Sequence, residues 1–232
     1  MVRFCAVRAA RSLLPSAPAI ILDRFLPVSI LKARTAMIDK PFFNPRIRCI
    51  CVSDAASPCG CVLAKVFMKD GILSTNFGIS LDVLLSGEGR FVLHVTDPSR
   101  GCLDALCSRI GQAGISGRVL VFSAHAEAVK RVRRSAGSCA TALTSGEALA
   151  VLLLSKMGLL FLRRRFAGDA LLVSESAGGV RLLNAQLAKE LRERGVRVFA
   201  WGVTDSVRAK RLLDAGVEGV ISSDAWVIKE TV

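Results

Sequence analysis

The sequence predicts an α/β fold: a parallel sheet with helices packed outside it. Three observations carry the prediction. From Cys61 onward, short apolar runs rich in Val, Leu and Ile alternate with longer segments of helical spacing. Several of those helical segments stop at a glycine, at Gly114, Gly195 and Gly216. The chain of 232 residues, 52% hydrophobic, is long and apolar enough for one domain with a large core. Strands alternating with helices in this way pair in parallel, because each helix carries the chain back across the sheet.

The elements follow in order. VLAKVFM (Val62–Met68) reads as a strand ending at the Asp70-Gly71 turn, and FVLHV (Phe91–Val95) as a second, entered from the glycine-rich turn at Gly87–Gly89. CLDALCSRIGQAG (Cys102–Gly114) has helical spacing. RVLVFS (Arg118–Ser123) is a strand, HAEAVKRVRRSAG a basic helix, ATAL (Ala140–Leu143) a short strand and residues 147–162 an apolar helix. The order then repeats: strand Asp169–Ser174, helix Val180–Gly195, strand Val196–Val203, helix Ser206–Gly216, strand Val217–Ser222. This pattern alone fits an open sheet as well as a barrel.

Residues 1–45 behave differently. Pro15, Pro18, Pro27, Pro41 and Pro45 interrupt any period, and residues 1–50 hold nine Lys/Arg against Asp23 and Asp39, in a chain of net charge +13. The expected division is an irregular basic segment, 1–45, and a folded domain, 46–232. The basic segment fits an organelle-targeting sequence or a plain basic surface, and either attracts anions. Localisation stays open between cytoplasm and organelle, with membrane association as a third option. Nucleic acid is disfavoured as a partner, since no base-reading helix or aromatic platform accompanies the charge. An oligomer is left open.

One apolar run, Ala148–Leu162, spans 15 residues, is interrupted by Lys156 and is followed by Arg163, Arg164 and Arg165. A bilayer span takes about 20 apolar residues. The run therefore reads as a buried helix, or else as a membrane-surface or membrane-embedded segment with an Arg anchor. Cys49, Cys51, Cys59 and Cys61 form C-x-C-x₇-C-x-C. Four thiolates suit zinc, but zinc knuckles space their pairs more widely, so free thiols are the simpler reading.

The stretch from Asp169 to Asp224 resembles the closing strands and helices of the glycerophosphodiester phosphodiesterase family. GDALLVS, LAKELRERGVRVFAWGVTD and RLLDAGVEGVISSD carry the resemblance, in the family's order and with its gaps. Weaker similarities lie upstream in KDG (Lys69–Gly71), SLDVLLSGEGRFVLHV (Ser80–Val95) and RVLVFSAH (Arg118–His125). The resemblance implies a (β/α)₈ TIM-like barrel, incomplete or degenerate on its N-terminal side unless residues before Cys61 supply the first strand. It implies a phosphoric diester hydrolase of phospholipid metabolism, releasing glycerol 3-phosphate from glycerophosphodiesters. It also implies a glycerophosphodiester or other phosphate-containing ligand and, if the protein is active, a divalent cation (Mg or Ca).

The family's chemistry uses two histidines as acid and base and carboxylates as metal ligands. Here the motif positions are filled otherwise. No His precedes His94, so H-R-G is absent. Aligning KDG places Val62 and Ala64 at E-x-D, and Phe77 and Gly78 at H-D; aligning FVLHVTD places His94 and Thr96 at E-x-K. The remaining candidates are His94 and His125 for acid–base work and Asp97 as a metal ligand. The simpler readings are a hydrogen-bonded strand histidine and a helix-initiating one. Trp201 stands at the family's substrate-lining Trp and Asp224 at its final Asp, as substrate-binding candidates; a core aromatic and a helix N-cap are the alternatives. The predicted function is that of a glycerophosphodiester phosphodiesterase-like protein whose catalytic set is missing. The alternative is a non-catalytic barrel scaffold or a basic anion- or membrane-binding protein.

Overall fold

A computed structural model describes residues 42–43, 49–51, 61–136 and 139–223. All of them belong to the unit Lys40–Val232. Asp224, Cys59 and most of the basic N-terminal segment lie outside the described residues.

Among the described residues, eight parallel strands follow from the apolar runs. They are β1 (Cys49–Cys51), β2 (Cys61–Lys69), β4 (Arg90–Val95), β5 (Val119–Phe122), β6 (Ala140–Thr141), β7 (Ala170–Ser174), β10 (Arg197–Trp201) and β11 (Gly219–Ser222). Their order is β6-β5-β4-β2-β1-β11-β10-β7. The two end strands, β6 and β7, meet at one parallel bridge, Ala142 to Ala170. There the Leu143 N–H donates to the Ala170 carbonyl and the Asp169 N–H to the Thr141 carbonyl, each at 2.7 Å.

Residues before Cys61 do supply a strand: β1 pairs with β11 on one side (Cys49–Cys51 against Val220–Ser222) and with β2 on the other (Cys51 to Val62). Only nine residues, 52–60, connect β1 to β2.

Helices α1 (Leu81–Leu85), α2 (Arg100–Gln112), α3 (Ala126–Ser135), α4 (Ser145–Lys156), α5 (Ala185–Arg192) and α6 (Ser206–Asp214) alternate with the strands. Side-chain oxygens of Ser80, Ser99, Asn184 and Asp205 accept the free amides at the starts of α1, α2, α5 and α6. Thr144 and Glu147 form a reciprocal capping box on α4.

Two helical expectations need correction. The segment Val180–Gly195 begins as a hairpin: β8 (Ser176–Ala177) pairs antiparallel with β9 (Val180–Arg181), and the helix starts only after Asn184. The reason is local, since Gly178 and Gly179 both hold positive φ, as a type I′ two-residue hairpin turn requires. The apolar helix expected over 147–162 ends at Lys156. Gly158 (φ 69°) turns the chain, and a single 3₁₀ turn, Leu160–Leu162, follows. An unpredicted strand, β3 (Ile72–Thr75), folds back antiparallel on β2 through the Asp70-Gly71 turn.

The core has three parts. Helices α1–α3 pack on the outer face of β2, β4 and β5 through residues such as Leu81, Leu103, Leu106 and Val132. Helices α4–α6 cover β7, β10 and β11 through Val151, Leu187, Leu191 and Leu212. Between the strands lies a separate cluster of Phe42, Cys61, Leu63, Val92, Leu120, Ala140, Ala170, Phe199 and Ile221. Strands buried on both faces explain why they read as near-continuous apolar runs.

Candidate functional site

In parallel α/β sheets, ligands bind at the C-terminal ends of the strands, where loops rather than packed side chains cover the core. The site is therefore built from the last inward-facing residue of each strand. Alternation fixes which residues those are. Cys61 and Leu63 lie in the central cluster, while Ala64 and Val66 pack against the helices. Lys65 is next on the central side, and register aligns it with His94 on β4, which in turn aligns with Phe122 on β5. Trp201 ends β10, opposite Ser174 of β7 and Ile221 of β11.

These side chains meet. The His94 ring stacks on Phe122 with centroids 4.4 Å apart and planes 10° from parallel. Trp201 and Phe122 form a T-shaped pair, with centroids 5.5 Å apart and planes at 66°. Aromatic pairs in such arrangements stabilise by about 0.5–1.5 kcal/mol beyond their area. Beneath them, Leu63, Val92 and Leu120 are fully buried, so the centre is a packed plug with an aromatic cap. Nδ1 of His94 is buried without a hydrogen-bond partner. Burial, and secondarily the nearby Lys65 ammonium, hold the imidazole below its ordinary pKa. His94 is thus a neutral ring at neutral pH. Lys65 itself is exposed, and its backbone is fixed by Asn76, whose side-chain oxygen accepts the Lys65 N–H at 2.7 Å.

The other candidates sit apart from this cap. His125 is exposed at the entry to α3: its N–H donates to Ser123 Oγ, and its ring does not cap the helix. Asp97 accepts the Ser99 N–H at 2.9 Å, next to the N-terminus of α2. That bond, first among several, lowers its pKa. Cys102 is pushed up to about 11, by burial first and the Asp97 charge second. The carboxylate of Asp97 therefore serves the turn into α2. Asp224 lies outside the described residues, as do the side chains of Cys49 and Cys51; Cys61 is buried in the central cluster.

The divalent cation implied by the resemblance finds no fitting donor set. Ala64, aligned with the second position of E-x-D, packs on the helix side, Val62 shares its face by strand alternation, and the inward positions beside them are Leu63 and Lys65. Phe77 packs against the outer core, and Gly78 occupies a turn with φ 73°. Thr96 Oγ1 donates to the Val66 carbonyl. Glu175, directly after β7, is held by Arg208 at 3.1 Å and by Arg211, both from α6. Among the described residues no group of three or more His, Cys, Asp or Glu side chains is placed to hold a metal ion. Sequence reasoning passed over Lys65 and Phe122, because only pairing shows that they share a layer with His94.

A family model, the Glycerophosphoryl diester phosphodiesterase family, matches residues 102–225. Solved structures share the fold at low identity. The glycerophosphoryl diester phosphodiesterase domain of a Mycobacterium tuberculosis protein superposes with a TM-score of 0.64 at 12% identity, covering 79% of this chain and 98% of that one. A glycerophosphoryl diester phosphodiesterase from Silicibacter pomeroyi gives 0.60 at 11%, covering 84% and 96%. An Oleispira antarctica phosphodiesterase, solved with its product sn-glycerol-3-phosphate, gives 0.59 at 12%, covering 79% and 96%. No curated protein matches.

Proposed function

Because the chain belongs to the glycerophosphoryl diester phosphodiesterase family, we propose that it is a non-catalytic member that binds a glycerophosphodiester or related phosphate-bearing ligand. The proposed site is the strand-end cap of Lys65, His94, Phe122 and Trp201. The proposed scaffold is a (β/α)₈ barrel formed by 46–232 and closed at the β6–β7 seam, with 1–45 a segment of its own.

The observation that carries the reading is that the inward strand-end positions of β2 hold Leu63 and Lys65 and no carboxylate, with Lys65 in register with His94. A carboxylate pair would need a cation between itself and a phosphate. An ammonium is the cation, a compact charge with three donors for phosphate oxygens. The neutral His94 adds a ring nitrogen, and Phe122 and Trp201 offer an apolar wall for glycerol carbons or a headgroup. Hydrolysis would need a proton donor and a separate base at the scissile phosphate, and His94 alone cannot be both at once. His125, exposed and outside the cap, does not complete the pair.

The test combines binding and turnover in the full chain. Calorimetry with sn-glycerol 3-phosphate should detect binding that Lys65→Met weakens by about 10-fold or more, the scale of a charged hydrogen bond. Release of glycerol 3-phosphate from glycerophosphocholine or glycerophosphoethanolamine should be absent with Mg²⁺ or Ca²⁺ and equally absent with EDTA. Metal-dependent turnover would sink the non-catalytic reading and restore the hydrolase. Binding that ignores Lys65→Met would remove the proposed site.

A further inference from the structure

The outward face of α4 and the turn beyond it are built unlike the other helices. Val151 is the only residue of α4 that is buried, while Ala148, Leu152 and Leu154 rest partly on the core. Leu149, Leu153 and Met157 recur every four residues, which puts them in one stripe along the helix. They are 58%, 54% and 67% exposed. After Gly158 the 3₁₀ turn is pinned by the buried Leu160, and its neighbours Phe161 (61%) and Leu162 (66%) are left outside. Single exposed apolar residues are ordinary, but a contiguous set marks an interaction site.

Charge decides what kind of site. From Ala148 to Gly168 the sequence carries Lys156, Arg163, Arg164 and Arg165 and no acidic residue. Glu147, just before, is taken by Arg133 at 2.9 Å. The Arg163 guanidinium lies over the Phe166 ring at 5.3 Å, and Arg164 and Arg165 are exposed. Lys156 also ties α4 to the β8–β9 hairpin, donating to the Arg181 carbonyl at 2.6 Å. There Val180 (52% exposed) and Arg181 add one more apolar and one more basic group to the same side.

We infer that this face, Leu149-Leu153-Met157-Phe161-Leu162 with Arg164 and Arg165 at its end, docks on the surface of an anionic lipid bilayer. Apolar side chains enter the acyl boundary while the arginines pair with headgroup phosphates, the division seen in interfacial helices. The α4 helix, of 12 residues, lies along the surface, and no helix among the described residues is long and apolar enough to cross a membrane. A second copy of the chain is a poorer occupant. A two-fold contact would bring two copies of this basic patch together, with no carboxylate from Ala148 to Gly168 to neutralise either. The inference is independent of the ligand proposed for the strand-end cap.

The experiment is flotation of the full chain with vesicles of phosphatidylcholine alone and of phosphatidylcholine mixed with phosphatidylglycerol. The chain should partition onto the mixed vesicles, and salt should weaken the binding. Arg164→Gln and Arg165→Gln should each lower partition by about fivefold. Leu153→Gln with Phe161→Gln should lower it by about tenfold or more. All four positions are solvent-facing, so melting temperatures should stay at the parent value. The nine Lys/Arg of residues 1–50 also attract anions, so the comparison of variants with parent decides the matter. Equal partition of parent and variants overturns the inference, as does a parent that does not bind. A concentration-dependent dimer broken by the Leu153/Phe161 variant would also overturn it and place a second copy on this face.

Discussion

Replacing Gly168 by alanine should loosen the β6–β7 seam, where the two ends of the strand row meet through one isolated bridge. A Cβ at this position would lie 2.6 Å from the Arg133 guanidinium and 2.8 Å from the carbonyl carbon and oxygen of Ala142. The guanidinium could swing aside, but the Ala142 backbone is half of the bridge to Ala170. Overpacking of this kind costs about 1–3 kcal/mol. The displaced Arg133 also donates to Ala142 O at 2.7 Å and to Thr141 Oγ1 at 3.0 Å, while its ion pair with Glu147 ties the seam to the cap of α4. Losing one charged hydrogen bond there adds about 1.5–3 kcal/mol. The combined loss is about 2.5–6 kcal/mol, which lowers the melting temperature of a chain this size by on the order of 10 °C. Differential scanning fluorimetry or calorimetry reads it directly. Gly111→Ala supplies the contrast: that glycine is helical with open space around it, so alanine there should stabilise by up to about 1 kcal/mol. A Gly168→Ala chain that melts within about 2 °C of its parent would refute the crowded seam.

Two further predictions concern ionisation. Burial holds the His94 pKa below its ordinary value of 6.5, so on acidification the unfolded chain takes up this proton before the folded one. Stability from His94 should be fully present above about pH 6.5 and lost as pH falls through that value toward the lower folded pKa; His94→Gln should flatten this acid-side slope in melting curves, and an unchanged slope would remove His94 as its source. Cys102, pushed up to about 11 chiefly by burial, holds almost no thiolate at mildly alkaline pH. Alkylation followed by peptide mass spectrometry should therefore label the half-buried Cys107 well before Cys102, and the reverse order would contradict the placement of Cys102 on the buried face of α2.

The sequence alone carried the α/β class, because strands covered on both faces must be apolar at nearly every position and helices between them must stop. It carried the family as well: the resemblance over 169–224 falls within the matched residues 102–225. It also carried the absence of any histidine before His94, which no folding can reverse. Where elements were misread, local chemistry was the cause: the Gly178-Gly179 turn and Gly158 interrupt helical periods that the flanking leucines continue.

What only the tertiary structure decided is which face each strand presents. A shift of one residue exchanges inside for outside. Motif alignment alone put Val62 and Ala64 at the acidic positions, whereas pairing of β2 with β4 turns both outward and aims Lys65 at His94. The same holds for Phe122 and Trp201, distant in sequence and adjacent only because strand order brings β5 and β10 to a shared centre. The apolar run 148–162 is the converse case. Its composition suits a core, but the strands need only one side of α4, so Leu149, Leu153, Phe161 and Leu162 are left facing out.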